Sequence, residues 1–81
     1  SIYVQMEVRT AKGRIDMVFE TKTDRYVMEL KIDRPAQEAL DQIDQNGYLL
    51  PYTRDGLRLH KVGISFSTKE RTLTEWKMAT V

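Results

Sequence analysis

The sequence predicts an α+β domain with a mixed β-sheet, built from five strands and one helix in the order β-β-β-α-β-β. Five short segments have the alternation or the apolar composition typical of strands. Between the third and fourth of them, one segment instead repeats apolar residues every three or four positions, as an amphipathic helix does. A length of 81 residues suffices for one small domain and not for two. We therefore treat residues 1–81 as one domain.

The first three strands are predicted over residues 2–10, 14–21 and 26–32. The first alternates between its two faces with a period of two. A turn at residues 11–13 and an Asp-containing connection at residues 22–25 separate the strands. The third strand is rich in apolar residues, so we expect it in the centre of the sheet.

The predicted helix covers residues 33–47, with Pro35 in its first turn and Gly47 at its end. The apolar stripe that we expect to pack on the sheet consists of Ala36, Ala39, Leu40 and Ile43. The fourth and fifth strands are predicted over residues 57–67 and 72–81. Because a helix connects the third strand to the fourth, we expect these two strands to pair in parallel.

Composition excludes several kinds of site. The chain has no cysteine, which rules out disulfide bonds, cysteine–zinc sites and a thiol nucleophile. We assign no special chemistry to the one histidine, His60, and expect ordinary packing of Trp76 and Met78 on one face of the last strand. The net charge of +1 indicates neither a nucleic acid nor a membrane as partner. No apolar run approaches the roughly 20 residues of a membrane helix, and we expect a cytoplasmic protein.

Three charged residues interrupt the apolar runs of two predicted strands: Asp16 in the second strand, and Glu29 and Lys31 in the third. Glu29 and Lys31 are two positions apart, so their side chains project from the same face. If the second and third strands form a hairpin, Asp16 can lie beside this pair, because both are far from the connecting turn. The apolar residues that project from the other face of the third strand are expected to anchor the core: Met28, Leu30 and Ile32.

This combination of charges has a chemical interpretation. Two carboxylates that converge repel each other, and a hard cation such as Mg²⁺ relieves the repulsion while binding waters and phosphate oxygens. A lysine beside them, Lys31, can position a water molecule. These are the parts of a metal-assisted phosphodiester hydrolase. The alternative is a purely structural role, either as a solvated ion pair on a strand or as a charge network.

Several motifs, in the same order, resemble the PD-(D/E)XK nuclease superfamily, which has the restriction-endonuclease-like fold. They are EVRTAKGRID at residues 7–16, ELK at 29–31, ALDQIDQNGY at 39–48 and EW at 75–76. The resemblance is nearest to the nuclease-like domain at the C-terminus of bacterial AAA-ATPase-like proteins, and it covers almost the whole chain. It implies a nuclease that uses Mg²⁺ or Mn²⁺, together with an AAA-ATPase domain in the same longer protein.

The resemblance also implies roles for individual residues. Asp16 and Glu29 would be the metal carboxylates, and the Leu30 carbonyl group a further metal ligand. Lys31 would be the catalytic lysine. Gln42 and Tyr48 are similar to the glutamine and tyrosine that some branches place near the active site, with a helix surface and a core edge as their alternatives.

Two further residues near the first turn are candidates. Glu7 is either an additional acidic residue near the metal or an exposed strand carboxylate. Arg14 either binds a phosphate through two hydrogen bonds or pairs with Glu7 or Asp16, and we favour the pairing.

The superfamily core normally begins with a helix before the first strand. This chain opens at the strand, as SIYVQMEV, without an initiating Met, so we expect a C-terminal fragment that lacks the usual first helix. The missing layer would leave one face of the sheet uncovered. We therefore expect copies of the chain to dimerise or to exchange elements.

The basic residues that could contact DNA phosphates are scattered and nearly balanced by acids. They are Lys12, Arg14, Lys22, Arg25, Arg54, Arg58, Lys61, Lys69 and Arg71. No base-reading motif is present, so DNA without sequence specificity is the expected substrate. The second hypothesis is a non-catalytic accessory domain, which would use its faces to contact an ATPase domain or another chain.

Overall fold

The structure, a computed structural model, describes residues 2–10 and 13–81. Its elements are β1 (Tyr3–Thr10), β2 (Gly13–Glu20), β3 (Asp24–Ile32), α1 (Ala36–Gln45), a 3₁₀ turn (Leu50–Tyr52), β4 (Arg58–Ser67) and β5 (Thr72–Thr80). The predicted order β-β-β-α-β-β and the α+β class are confirmed. The predicted turn at Ala11 and Lys12 lies outside the described residues. No helix in the described ranges has both the length and the apolar character needed to cross a membrane.

The strands form one mixed sheet in the order β1-β2-β3-β4-β5. Strands β3 and β4 pair in parallel, as the helical crossover predicts, and the other neighbours pair antiparallel. The register places Glu29 of β3 opposite Gly63 of β4. This pairing positions the candidate site, because α1 crosses the sheet at the same place.

Helix α1 lies close against β4 because Gly63 has no side chain. A Cβ atom at Gly63 would lie 2.4 Å from the carbonyl oxygen of Ala36. The amide of Ala36 donates a hydrogen bond to Glu75 Oε1 of β5 at 2.8 Å, which satisfies a free donor at the start of the helix. The core on this side of the sheet consists of Ile15, Val18, Val27, Ile43, Tyr48 and Leu59.

The prediction that Met28, Leu30 and Ile32 anchor the core is wrong. Helix α1 covers the opposite face of β3, where Val27 and Glu29 are buried. Leu30 and Ile32 are 42% and 56% exposed. Trp76 and Met78 share one face of β5, as expected, but they are 68% and 47% exposed. The face of the sheet opposite α1 is therefore open in the described residues.

Candidate functional site

The site lies where strands β2 and β3 stop pairing. Their ladder runs from Glu20–Arg25 to Met17–Met28 and ends there. One position further, the main-chain amide of Leu30 donates a hydrogen bond to Asp16 Oδ2 at 2.8 Å. A side-chain carboxylate of β2 thus takes the place of a main-chain carbonyl group as the acceptor, and Asp16 is attached to β3 beside Glu29.

The alternation of β2 is interrupted at the same place. Ile15 and Val18 are both buried, although residues three apart in a regular strand point to opposite faces. The backbone must therefore turn between them, at Asp16 and Met17. This local turn sends the Asp16 carboxylate towards β3, which a regular strand would not do.

Glu29 is buried on the helix side of β3, with 5% of its surface exposed. Its Oε2 atom accepts a hydrogen bond from Gln42 Nε2 of α1 at 2.7 Å. Its Oε1 atom is buried and has no hydrogen-bond partner. Burial, and after it the negative charge of Asp16, raises the pKa of Glu29 to about 7, while Lys31 acts in the opposite direction. The protein thus holds a carboxylate that resists ionisation beside a second carboxylate.

Lys31 joins this group through the helix. Its Nζ atom donates a hydrogen bond to Gln42 Oε1, the other end of the amide that donates to Glu29. Gln42 therefore bridges the acid and the lysine, which project from the same face of β3 as expected from their spacing. The structure brings together five of the residues singled out in the sequence: Asp16, Glu29, Leu30, Lys31 and Gln42.

Tyr48 lies in the core and not beside these residues. It is 2% exposed and packs in the cluster with Ile15 and Val18. Its hydroxyl group accepts a hydrogen bond from Asn46 Nδ2 at 3.1 Å. A Cβ atom at Gly13 would lie 2.6 Å from that hydroxyl oxygen, so the tyrosine supports the start of β2. These contacts correspond to the core interpretation of Tyr48.

Glu7 and Arg14 form an exposed ion pair, with 3.7 Å between Oε1 and Nη1. Glu7 lies opposite Asp16, between the pairs Met6–Met17 and Val8–Ile15. Its φ angle of 54° is in the left-handed region, which a glutamate rarely adopts, and the ladder is interrupted at this residue. Glu7 also lines a pocket together with Asp16 and Glu29, so it lies both in a surface ion pair and near the two acids.

The acid pair fits a divalent cation by its chemistry. An unpaired buried oxygen on Glu29 and the remaining oxygen of Asp16 are the hard donors that Mg²⁺ and Mn²⁺ prefer. Within the described residues, no group of three or more histidine, aspartate or glutamate side chains is arranged to hold a metal. A cation here would use two carboxylates and the Leu30 carbonyl group, with water or substrate oxygens completing its shell.

A groove on the helix side begins at Lys31 and Gln42 and is also lined by Arg34, Glu38 and Asp41. Arg34 and Glu38 form an ion pair at 2.5 Å along the entry of α1. These residues were not singled out in the sequence. Arg34, Glu38 and Gln42 follow one another at intervals of four. Because residues four apart share a face of a helix, this spacing could have predicted that Arg34 and Glu38 lie beside Gln42.

Comparisons with known proteins agree with this geometry. A family model described as the PD-(D/E)XK nuclease superfamily matches residues 1–76. The chain is 35% identical over 72 residues to an uncharacterized protein in the vnfD 5′ region of Azotobacter chroococcum mcd 1. That stretch covers 86% of this chain and 14% of the relative, so the chain spans a small part of that protein's length. No solved structure matches the chain significantly.

Proposed function

Because the chain belongs to the PD-(D/E)XK nuclease superfamily, we propose that it is a Mg²⁺-dependent nuclease domain that hydrolyses phosphodiester bonds in DNA. One observation carries this proposal. Glu29 is buried beside a second acid, Asp16, and one of its oxygens has no hydrogen-bond partner. Burying an unpaired carboxylate lowers the stability of the fold. A bound cation would offset this loss, so the acid pair is explained if the chain binds a metal.

Asp16 and Glu29 would hold the cation, with the Leu30 carbonyl group as a further ligand. A bound Mg²⁺ or Mn²⁺ supplies polarisation of the phosphodiester and makes a bound water more acidic. Asp16 is kept in place by the Leu30 amide, and Glu29 by Gln42. The chain's own contribution is thus to fix two oxygen donors before the substrate arrives, which reduces the reorganisation needed for reaction.

Lys31 would position the attacking water and stabilise charge on the phosphate. Its ammonium group is held by Gln42 on the same face as Glu29. With three N–H donors it can keep the bond to Gln42 and still donate to a water molecule or a phosphate oxygen. The positive charge at Nζ also opposes the negative charge that develops on the phosphate.

DNA without sequence specificity is the substrate that we propose. A phosphodiester backbone offers the same oxygens at every step, so phosphate contacts carry no sequence information. The exposed Arg34 at the rim of the helix-side groove is suitably placed to contact such a backbone. The association with an AAA-ATPase domain and a cytoplasmic location stay predictions.

Calorimetric titration with Mn²⁺ tests the metal site independently of catalysis. We expect heat of binding with the wild-type chain, and none with Asp16→Ala or Glu29→Gln. Circular dichroism would establish that the variants fold. No binding by the folded wild-type chain would contradict the proposal and favour the accessory-domain alternative.

Cleavage of plasmid and single-stranded DNA with Mn²⁺ tests the role of Lys31. We expect Lys31→Ala to reduce cleavage at least about 100-fold while Mn²⁺ binding persists. Lys61→Ala is the matched control. Lys61 lies in β4, on the same face of the sheet as Lys31, and also donates a hydrogen bond to a side chain of α1, Asp44. Equal cleavage by the Lys31 and Lys61 variants would contradict the assignment of Lys31.

A further inference from the structure

The first two strands change faces at the same level of the sheet. Met6 of β1 pairs with Met17 of β2, and both line a pocket on the face opposite α1, which we call the open face. Two positions further along β1, Val8 pairs with Ile15, and these side chains pack in the core beneath α1. Residues two apart in a regular strand share a face. Both strands must therefore depart from regular geometry between the two pairs.

The residues between the two pairs are Glu7 in β1 and Asp16 in β2. Glu7 has a φ angle of 54°, whereas a residue in an antiparallel strand ordinarily has a φ of about −140°. Of the three non-glycine residues with positive φ in the described part of the chain, Glu7 is the one inside a strand, since Asp33 and Arg71 lie between elements. A left-handed residue rotates the peptide planes on either side of it, so the residues that follow present the opposite face. The conformation of Glu7 thus explains the change of face in β1.

The change of face in β2 gives Asp16 the direction that the site needs. Main-chain amides point along the plane of the sheet towards the neighbouring strand, so the acceptor of the Leu30 amide must lie in that plane. A side chain in a regular strand stands roughly perpendicular to the sheet and cannot lie there. Asp16 lies at the change of face, and its Oδ2 atom is 2.8 Å from the Leu30 nitrogen.

Strand β2 cannot change face alone, because it pairs with β1 on both sides of this level. Directly opposite residues of an antiparallel pair project from the same face, so a change at Asp16 requires one at Glu7. A left-handed glutamate is strained, and the surrounding structure must hold it. The ion pair with Arg14 is too weak to do so, since its atoms are 3.7 Å apart and both side chains are more than half exposed.

We propose that the left-handed backbone of Glu7 positions Asp16 for metal binding. Glu7 acts through its conformation and not through its charge, so it is a positioning residue. The metal-binding part of this inference rests on the proposed function. The hydrogen bond between Asp16 and the Leu30 amide forms without a metal and gives a separate measure of the same positioning.

Three substitutions of Glu7 remove the carboxylate equally and differ in the backbone that they favour. Glycine and asparagine adopt a positive φ readily, whereas valine, which is branched at Cβ, does not. We expect Glu7→Gly and Glu7→Asn to keep the Mn²⁺ affinity within about 3-fold of wild type by calorimetry, and Glu7→Val to lower it at least about 10-fold. If Glu7→Val does not fold, Glu7→Ala carries the same comparison, because alanine also disfavours a positive φ.

Hydrogen exchange of the Leu30 amide, followed by NMR without metal, measures the position of Asp16 directly. We expect Glu7→Val to accelerate this exchange at least about 10-fold relative to the amides of β4, and Glu7→Gly and Glu7→Asn to leave it within about 2-fold of wild type. A general loss of stability would accelerate exchange in β4 as well. The ratio therefore separates positioning from a merely structural role.

Gln5 is the matched control in the regular part of β1, where it pairs with Val18 and has no positive φ. Gln5→Val and Gln5→Gly should leave both the Leu30 exchange and the Mn²⁺ affinity as in wild type. The order of stability should also reverse between the two positions. Urea unfolding should give a higher midpoint for Gln5→Val than for Gln5→Gly, and a lower one for Glu7→Val than for Glu7→Gly.

Three outcomes would overturn the inference. Equal acceleration of Leu30 exchange by Glu7→Gly and Glu7→Val would show that the carboxylate matters and not the backbone. Unchanged exchange in Glu7→Val would show that Asp16 keeps its place without a left-handed residue opposite. Normal exchange in Glu7→Gly together with lost Mn²⁺ affinity would make Glu7 a metal ligand. Absence of Mn²⁺ binding by wild type contradicts the proposed function alone, and the Leu30 exchange then decides whether Glu7 positions Asp16.

Discussion

The Asp16 carboxylate accepts a hydrogen bond from the main-chain amide of Leu30, with 2.8 Å between Oδ2 and N. This bond lies just beyond the last ladder pair of β2 and β3, Met17–Met28. The Asp16 side chain therefore provides a hydrogen bond between β2 and β3 beyond the point where main-chain pairing ends. The consequence for the site is that Asp16 is fixed relative to β3, and thereby relative to Glu29, without help from a metal.

Substitution of Asp16 separates its structural contribution from its charge. Asp16→Asn keeps a side-chain oxygen that can accept from the Leu30 amide, whereas Asp16→Ala removes the acceptor. We expect Asp16→Ala to lower the free energy of unfolding by about 0.5–1 kcal/mol more than Asp16→Asn, because the amide is near solvent. Urea unfolding measures this difference. Both variants should lose Mn²⁺ binding, so metal binding retained by Asp16→Asn would contradict the role of the charge.

The stability of the chain should depend on pH through Glu29. Burial and the charge of Asp16 raise its pKa from an ordinary value of 4.5 to about 7. The folded chain then holds this proton more tightly than the unfolded chain, which favours folding below about pH 4.5. This contribution is lost as the pH rises from 4.5 to about 7.

Comparison with Glu29→Gln isolates this effect, because the glutamine does not titrate. From pH 4.5 to 7, we expect the free energy of unfolding of wild type to fall relative to Glu29→Gln by roughly 3 kcal/mol. Mn²⁺ at pH 7.5 should restore part of the loss in wild type and none in the variant. Parallel pH profiles for the two proteins would show that Glu29 ionises as it does in water.

Gln42 should act as a positioning residue that holds Glu29 and Lys31. Gln42→Leu removes both hydrogen bonds of the bridge and leaves Glu29 with two unpaired buried oxygens. We expect Mn²⁺ affinity to fall by about 10–100-fold, the size typical of residues that orient metal ligands. Gln37→Leu on the exposed side of the same helix is the control, and calorimetry should detect no change in its affinity. An equal loss in both variants would indicate damage to the helix instead.

The order of elements was predictable from the sequence because strand and helix periods are local properties. The spacing of Glu29 and Lys31 was equally readable, since residues two apart in a strand share a face. The face that α1 covers was not predictable. The third strand, YVMELKI, has apolar residues on both faces, and only the close packing of α1 on Gly63 selects the face of Val27 and Glu29.

Side-chain contacts between strands that are far apart in the sequence could not be predicted either. His60 was expected to have no special chemistry, yet it is buried and both of its ring nitrogens have partners. Nε2 lies 2.6 Å from Asp24 Oδ1, and Nδ1 lies 2.8 Å from Thr80 Oγ1. The partners come from β3 and β5, which flank β4. Such a connection depends on strand order and register, which no local pattern specifies.

Gly63 links the packing of the helix to the geometry of the site. A Cβ atom at this position would lie 2.4 Å from the carbonyl oxygen of Ala36 and 3.2 Å from the amide nitrogen of Leu40. Main-chain atoms cannot rotate away, so in Gly63→Ala the whole helix must move off the sheet. We expect a loss of about 1–3 kcal/mol in the free energy of unfolding. Because Gly63 lies opposite Glu29, the same movement should separate Gln42 from Glu29 and weaken Mn²⁺ binding.

Val62→Ala tests whether the effect on the site comes from the helix or from lost stability. Val62 is the neighbour of Gly63 in β4, is buried, and projects from the open face instead of towards α1. We expect a loss of about 1 kcal/mol from the missing methyl groups, with Mn²⁺ affinity unchanged. Urea unfolding and calorimetry on the two variants give the comparison. If both substitutions weaken Mn²⁺ binding in proportion to the stability they remove, the close approach of α1 at Gly63 does not set the position of Gln42. If only Gly63→Ala weakens Mn²⁺ binding, the close approach of α1 at Gly63 is what lets Gln42 bridge Glu29 and Lys31.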